Sequence, residues 1–509
     1  MGMHVAGIFG DGMVLQRDQI NQIWGIEPKK DHVTVTLDGK GYSAEVREKR
    51  FRVSIDPHEV ATGLVLRVEG SDSIEIRDVA FGDVFLLAGQ SNMELPVCRV
   101  LDESADEIVR ANDPLIRQYR LTPQYVFGDA MEADLPSSRW TGAIPGEIDE
   151  MSAAGYFFAV KMREKLNVPI GLILNAQGGA SIEAWMPEDS LGEFCDCEKE
   201  LAAFRAPGSL EAFLEERETR IAVWYAGIEA EGRAIMAGEI PEAAKEILLP
   251  QVFEGPDGEP FSGSAWFYKE ITLEEEPSGE ALLYAGELID SDVTYINGVQ
   301  VGETGYRYPP RKYFFDASIL RKGKNLIAIR LVTENDFGGF IPEHPYYLSV
   351  GGQRIEISGT WFFAYEKRAA TRGVEGFLAQ KLPSGLFRAS ILPLLGLRFR
   401  GALWYQGESN AGAPERYEEK FAIMVSKWRS ALGFEIPIVV VELADYLDPQ
   451  AGAGEGWASI QEQQLRAPET VSSCGVVSAK DLGAPYELHP QRKKELGERL
   501  AAESLRLLS

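Results

Sequence analysis

The run Val84-Phe85-Leu86-Leu87-Ala88-Gly89-Gln90-Ser91-Asn92-Met93-Glu94 decides the reading of this 509-residue chain. Its apolar start suits a strand buried within a sheet. The strand runs directly into Gly89-Gln90-Ser91, which leaves a serine hydroxyl at the carboxyl edge of that sheet, close to the start of the next helix. Open α/β folds place their chemistry at that edge, and helix-start amides there can stabilise a developing oxyanion.

A serine hydroxyl is a weak nucleophile near neutral pH and needs a base within hydrogen-bond reach, usually histidine. The chain has five histidines. His4 lies at the amino terminus, His32 and His58 lie in a strand-rich leader, and His344 sits in a loop of Pro, Gly and aromatics. His489 stands apart. It precedes Pro490 and a run from Gln491 to Leu505 whose apolar residues recur at helical spacing. Proline suits the first turn of a helix, because its missing N–H would have no partner there. His489 is therefore expected on the loop just before a terminal helix. Alone it would read as a surface cap; with the serine motif it reads as the base.

Four blocks carry a resemblance: Gly89-Gln90-Ser91-Asn92-Met93, Gly178-Gly179-Ala180-Ser181-Ile182-Glu183-Ala184-Trp185, Trp404-Tyr405-Gln406-Gly407-Glu408-Ser409-Asn410, and His489-Pro490. In this order they resemble those of the sialate O-acetylesterases, a branch of the SGNH hydrolases. Met13-Val14-Leu15-Gln16-Arg17 and Ile23-Trp24-Gly25 in the leader also match the family pattern. The resemblance implies an α/β catalytic fold, the SGNH-hydrolase flavodoxin-like three-layer parallel sheet, with an N-terminal antiparallel β domain and an inserted galactose-binding-like β-sandwich.

Changes of pattern along the chain give the expected boundaries. Residues 1–80 carry short alternating runs such as Val33-Thr34-Val35-Thr36-Leu37 between turn signals, and read as a small β domain. Residues 81–248 shift to α/β, ending in Ala-, Glu- and Arg-rich helices expected to decorate the catalytic domain. Residues 249–360 bring strand after strand, with the hairpin signal Asn297-Gly298 between alternating apolar residues. Residues 361–509 resume α/β with Phe399-Arg400-Gly401-Ala402-Leu403-Trp404 and Ile436-Pro437-Ile438-Val439-Val440-Val441. Ser91 and His489 must then meet through folding.

Composition sets limits. With 51 Lys and Arg against 78 Asp and Glu, the net charge is −27. That argues against a nucleic-acid or anionic-membrane surface, either of which needs a basic patch. The amino terminus shows no basic segment followed by an apolar core, and no apolar run approaches the length of a bilayer span. The four cysteines, Cys98, Cys195, Cys197 and Cys474, read as reduced thiols, with Cys195 and Cys197 too close for an ordinary disulfide. The cytoplasm is the expected compartment. No His or Cys cluster has metal-ligand spacing, and no cofactor is expected.

Attack on an acetyl ester creates an oxyanion that needs donors already in place. Ser91 can offer its amide, Gly179 its amide, and Asn410 its side-chain N–H; the resemblance assigns that role to Gly179 and Asn410. Gln90, Gln406 and Glu408, polar residues at strand ends, could form a supporting hydrogen-bond network. Trp185 and Trp404 are candidates for cleft walls or core. Many SGNH hydrolases place an aspartate three residues before the histidine, but Tyr486 stands there. Asp481 is the preferred third member, with Glu487, Glu408, Asp445 and a dyad without a carboxylate left open.

Three functions are consistent with these residues: a sialate O-acetylesterase, an esterase for acetylated plant oligosaccharides such as xylan fragments, and a carbohydrate-binding protein without activity. Trp266, Tyr306 and Tyr308 could stack on sugars or fill the sandwich core. A sialate site should present an arginine to the substrate carboxylate, and Arg372, Arg388 and Arg466 are available. The expected partner is an acetylated sugar, with no nucleic acid and no membrane; nothing in the pattern decides the oligomeric state.

Overall fold

The computed structural model describes residues 2–122, 124–127, 138–229, 237–373, 378–446, 454–485 and 487–509; Tyr486 lies outside them. The chain is mixed α/β with several sheets. It divides into two compact units, Met1–Ser209 with Leu378–Ser509, and Leu210–Phe377.

The first unit is built on an extended sheet whose strands run in the order Trp140–Ala143, Asp113–Arg120, Ile170–Ala176, Ser73–Gly89, Gly401–Tyr405, Ile438–Glu442 and Cys474–Ser478. All neighbours along this path are parallel except the first pair. Ile170–Ala176, Gly401–Tyr405 and Ile438–Glu442 are buried along almost their whole length, and Ser73–Gly89 is buried from Val79 onward. Continuous apolar runs such as Val84 to Ala88 and Ile438 to Val441 therefore form strands here rather than alternating patterns. Ser152 caps the helix Ala153–Leu166, its hydroxyl accepting from Gly155 N at 3.0 Å, and Asn167 ends it in the left-handed region. This helix packs against the terminal helix Lys493–Leu508, whose buried residues Lys493, Leu496, Gly497, Leu500, Ala501 and Ser504 form one face.

The central strand Ser73–Gly89 is 17 residues long. Its first part pairs antiparallel with Ala61–Glu69, its middle pairs parallel with Val14–Gln16, and its last part joins the parallel sheet between Ile170–Ala176 and Gly401–Tyr405. The boundary expected after residue 80 thus falls inside one continuous strand. Side chains reinforce the junction: Gln16 Oε1 accepts from Val84 N at 2.9 Å, and Arg17 pairs with the buried Asp83 at 2.8 Å.

The second unit is antiparallel. One sheet runs Lys245–Leu249, Gly359–Ala369, Ser262–Leu273, Gly323–Thr333, Ser291–Ile296, Val299–Thr304, and another runs Lys312–Asp316, Glu280–Ala285, Tyr346–Val350, Gln353–Glu356. Asn297 and Gly298 both take positive φ, 50° and 81°, as a two-residue hairpin turn requires. The helix Ser209–Gly227 groups with this unit rather than with the first. The reason is local: Trp224 Nε1 donates to Ala370 O at 2.9 Å and Tyr225 Oη to Glu334 Oε1 at 2.7 Å. Trp266 is fully buried and belongs to the packing of the unit, whereas Tyr306 is exposed. Among the described residues, no helix is long and apolar enough to cross a membrane.

Candidate active site

Three neighbouring parallel strands end level with one another. Gly89 lies opposite Ala176 on one side and Tyr405 on the other. The segments that follow these ends are Gln90-Ser91, Gln177-Gly178-Gly179 and Gln406 to Asn410, so the sheet register alone collects the sequence blocks at one edge. Gly89 makes the approach possible. Its φ is +131°, and a Cβ there would sit 2.1 Å from the carbonyl oxygen of Tyr405, an oxygen that accepts from Gln90 N at 2.9 Å. The chain then turns into the short helix Ser91–Glu94.

His489 arrives from the loop before the terminal helix, and its Nε2 stands 2.9 Å from Ser91 Oγ. Both residues are half-buried, so the pair is reachable from solvent. Gly178 packs beside the serine: a Cβ placed on it would lie 3.6 Å from Ser91 Cβ. Glu94, on the serine's own turn, accepts from Gly178 N at 2.7 Å and pairs with Arg120, while Gln380 Nε2 donates to Gly178 O at 2.9 Å. These contacts pin the glycine turn. Gly179 has φ +77°, and among the described residues its N–H donates to no protein acceptor.

The buried polar network around the strand ends is dense. Gln90 Oε1 accepts from Ser409 N at 3.1 Å and lies 3.2 Å from Gln406 Nε2. Gln406 Nε2 is 2.7 Å from Asn410 Oδ1, which also accepts from Ile182 N at 3.0 Å. Both contacts fix which end of the Asn410 amide is oxygen. Asn410 Nδ2 then donates to Glu183 at 3.0 Å, and Lys420 Nζ donates to the same carboxylate at 2.7 Å. Burial acts to raise the Glu183 carboxyl, but the Lys420 ammonium and the Asn410 amide outweigh it and hold the group below its ordinary value.

A second buried cluster joins the serine turn to the histidine loop. Asn92 Nδ2 donates to Glu408 Oε1 at 2.7 Å and to Leu488 O at 2.9 Å, and Lys493 Nζ donates to Asn92 Oδ1 at 2.7 Å. Burial raises the Glu408 carboxyl and lowers the Lys493 ammonium to about 7, against the opposing pull of Glu487 and Glu408. The unfolded lysine keeps its proton to about pH 10.5 and the folded one only to about 7. Between those values unfolding takes up a proton, so raising the pH favours the folded state. The melting midpoint of the wild type is expected to rise relative to that of Lys493→Met from pH 7 to 9.5. A constant difference would remove the lysine's depressed affinity for its proton.

Asp481 does not join the site. Its two oxygens bind Arg499 Nη1 and Nη2 at 2.6 and 2.7 Å, its side chain is 61 % exposed, and the guanidinium lowers its carboxyl to about 2. The arginine, on the terminal helix, captures the carboxylate that the sequence assigned to His489. Asp481→Asn is accordingly expected to leave esterase turnover within about twofold of wild type, the range of surface changes away from a site; a loss resembling that of a His489 variant would restore Asp481 to the mechanism. Asp445 is also exposed and accepts from Gln461 Nε2 at 3.1 Å. Trp185 and Trp404 are fully buried against each other and Trp428, and are core rather than cleft wall. Arg388 pairs with Glu188 and Arg466 with Glu418, and in the second unit Arg372 pairs with Glu334.

A family model described as carbohydrate esterase, sialic acid-specific acetylesterase, matches residues 81–214 and 388–506. The resemblance is to the sialate O-acetylesterases. The human sialate O-acetylesterase is 29 % identical over 211 residues, 38 % of this chain and 40 % of its own length, and the mouse protein is 28 % identical over 209 residues, 38 % and 39 %. The matched part of the chain thus spans well under half of these curated relatives. A crystal structure described as a carbohydrate acetylesterase from Xanthomonas citri superposes with a TM-score of 0.60 at 22 % identity, covering 99 % of this chain and 75 % of that one; it shares the fold. Both family-matched stretches contain candidate site residues: Ser91 and Gly179 fall in the first, Asn410 and His489 in the second.

Proposed function

We propose that this chain is a serine esterase that removes O-acetyl groups from carbohydrates, with O-acetylated sialic acid as its substrate. The observation that carries the reading is the 2.9 Å contact between Ser91 Oγ and His489 Nε2, formed across 398 residues of sequence. His489 takes the proton of Ser91 as the oxygen attacks the acetyl carbonyl, and returns it to the departing sugar hydroxyl. Water then enters, gives a proton to His489 as its oxygen bonds to the acyl carbon, and the bond to Ser91 Oγ breaks as His489 returns that proton to the serine, releasing acetate. The oxyanion of each tetrahedral intermediate is met by the N–H groups of Ser91 and Gly179 and by Asn410 Nδ2, with Gln90, Gln406 and Glu408 holding the strand-end turns in place.

The finer fold reading accompanies this one. The parallel order of the central strands supports a flavodoxin-like SGNH sheet, and the two antiparallel sheets of the second unit support a galactose-binding-like sandwich. Four unbridged cysteines support a reducing compartment, the cytoplasm. For an acidic sugar, Arg120 supplies a partly exposed guanidinium on the serine's side of the site, 38 % accessible and paired with Glu94. Acetate release is expected from 9-O-acetyl sialic acid and not from acetylated xylo-oligosaccharides. Release from the xylo-oligosaccharides alone would move the substrate to neutral plant sugars, and release from neither would remove the esterase reading.

A further inference from the structure

We propose that Asn92, oriented by Lys493, positions the His489 loop against Ser91, a role that rests on the serine–histidine reading above. Asn92 follows the serine directly, and Leu488, whose carbonyl it binds, directly precedes the histidine. One hydrogen bond therefore joins the main-chain segments next to both reacting side chains. Lys493 begins the terminal helix four residues after His489 and donates to the same amide, so the loop carrying the base is held to Asn92 at both ends.

The chemistry of the amide makes this a specific device. The Leu488 carbonyl can only accept and Lys493 supplies N–H donors, so one orientation of Asn92 satisfies both neighbours together with Glu408 Oε1. A flipped amide would set its oxygen against two acceptors. Lys493 and Glu408 are themselves buried, where unmet polar groups are costly; this favours the single arrangement. The groups facing the lysine are Asn92, Glu408, Glu487 and the ring of Tyr405, 5.3 Å from its nitrogen. A displacement of the loop by a fraction of an ångström acts on the serine–histidine contact directly, and misplacements near 1 Å cost about a hundredfold in rate.

The test uses the full chain and a small alkyl fluorophosphonate, whose rate of attachment to the serine reports the nucleophile without requiring the sugar. Asn92→Asp keeps the shape but presents oxygen to Leu488 O and Glu408; labelling is expected to slow about a hundredfold, with a lower melting midpoint. Adding Glu408→Gln restores a donor to one of those contacts. The melting midpoint should then recover while labelling stays at least about tenfold below wild type, because the Leu488 carbonyl still faces oxygen. Recovery of both would make Asn92 structural only and overturn the proposal. Lys493→Met fills the same buried space with an uncharged side chain, and is expected to remain folded and label about tenfold more slowly; labelling at the wild-type rate would also overturn it. Ser91→Ala separates the two levels. If it is still labelled, the serine–histidine reading fails; if it is unlabelled while the Asn92 and Lys493 variants react like wild type, only the positioning role fails.

Discussion

Ser91→Ala is expected to lose at least about a thousandfold in acetate release while its melting midpoint stays within about 2 °C of wild type. The size follows from the division of labour at the site. On the proposed mechanism no acyl-enzyme forms without the hydroxyl, and His489 together with the amides of Ser91 and Gly179 can do no more than assist a water molecule. Removing one member of such a unit costs nearly as much as removing all of it. Stability should hardly change, because the serine side chain is half-buried and its contact with His489 Nε2 joins two accessible groups. Initial rates of acetate release and thermal melts of the same preparations check both halves. Turnover within tenfold of wild type would dismiss Ser91 as the nucleophile.

Gly89→Ala is the second large effect, and it works through the backbone. A methyl group at position 89 meets the Tyr405 carbonyl at 2.1 Å, and the residue would have to hold φ +131°. The two strands cannot separate freely, since Gln90 N donates to that same oxygen. The expected cost is about 3 kcal/mol or more of stability in the first unit. Because the shift falls at the strand end that leads into Ser91, the folded fraction should also lose about a hundredfold in activity. Thermal melting and fluorophosphonate labelling measure the two separately. Wild-type values in both would mean that the strands tolerate the methyl group and that the close approach is not required.

What could be read from the sequence was what depends on short stretches. The apolar run before Ser91 and the Asn297-Gly298 turn carry their signal within a few residues, and the structure contains the corresponding strand and hairpin. His489 does lie on the loop before the terminal helix, but that helix begins at Lys493 with Arg492 as its cap, so Pro490 sits in the loop and not in the first turn. What failed depends on distant partners. Asp481 was a sensible choice by its place in the chain, but Arg499, one helix later, holds it. Trp185 and Trp404 suit either a cleft wall or the core by sequence, and only their packing around each other decides for the core. Lys420 and Lys493 were missed altogether, although a signal existed. Each is a lysine on the apolar stripe of its helix, Lys420 among Tyr417, Phe421 and Met424, and Lys493 ahead of Leu496, Gly497 and Leu500. A charge on such a stripe needs a buried partner, and Glu183 and Asn92 are those partners.

The 17-residue strand that ends at the serine bears on how such proteins can be recombined. The family match begins at residue 81, which invites treating the preceding β segment as a detachable module that could be exchanged between relatives. A cut there would pass through the middle of the strand, strip Val14–Gln16 from its side, and leave Asp83 buried without the arginine that answers it. The exchangeable piece is therefore larger than the matched one: the leader and the strand Ser73–Gly89 form one paired unit, and a graft that keeps both should preserve the register on which the placement of Ser91 depends.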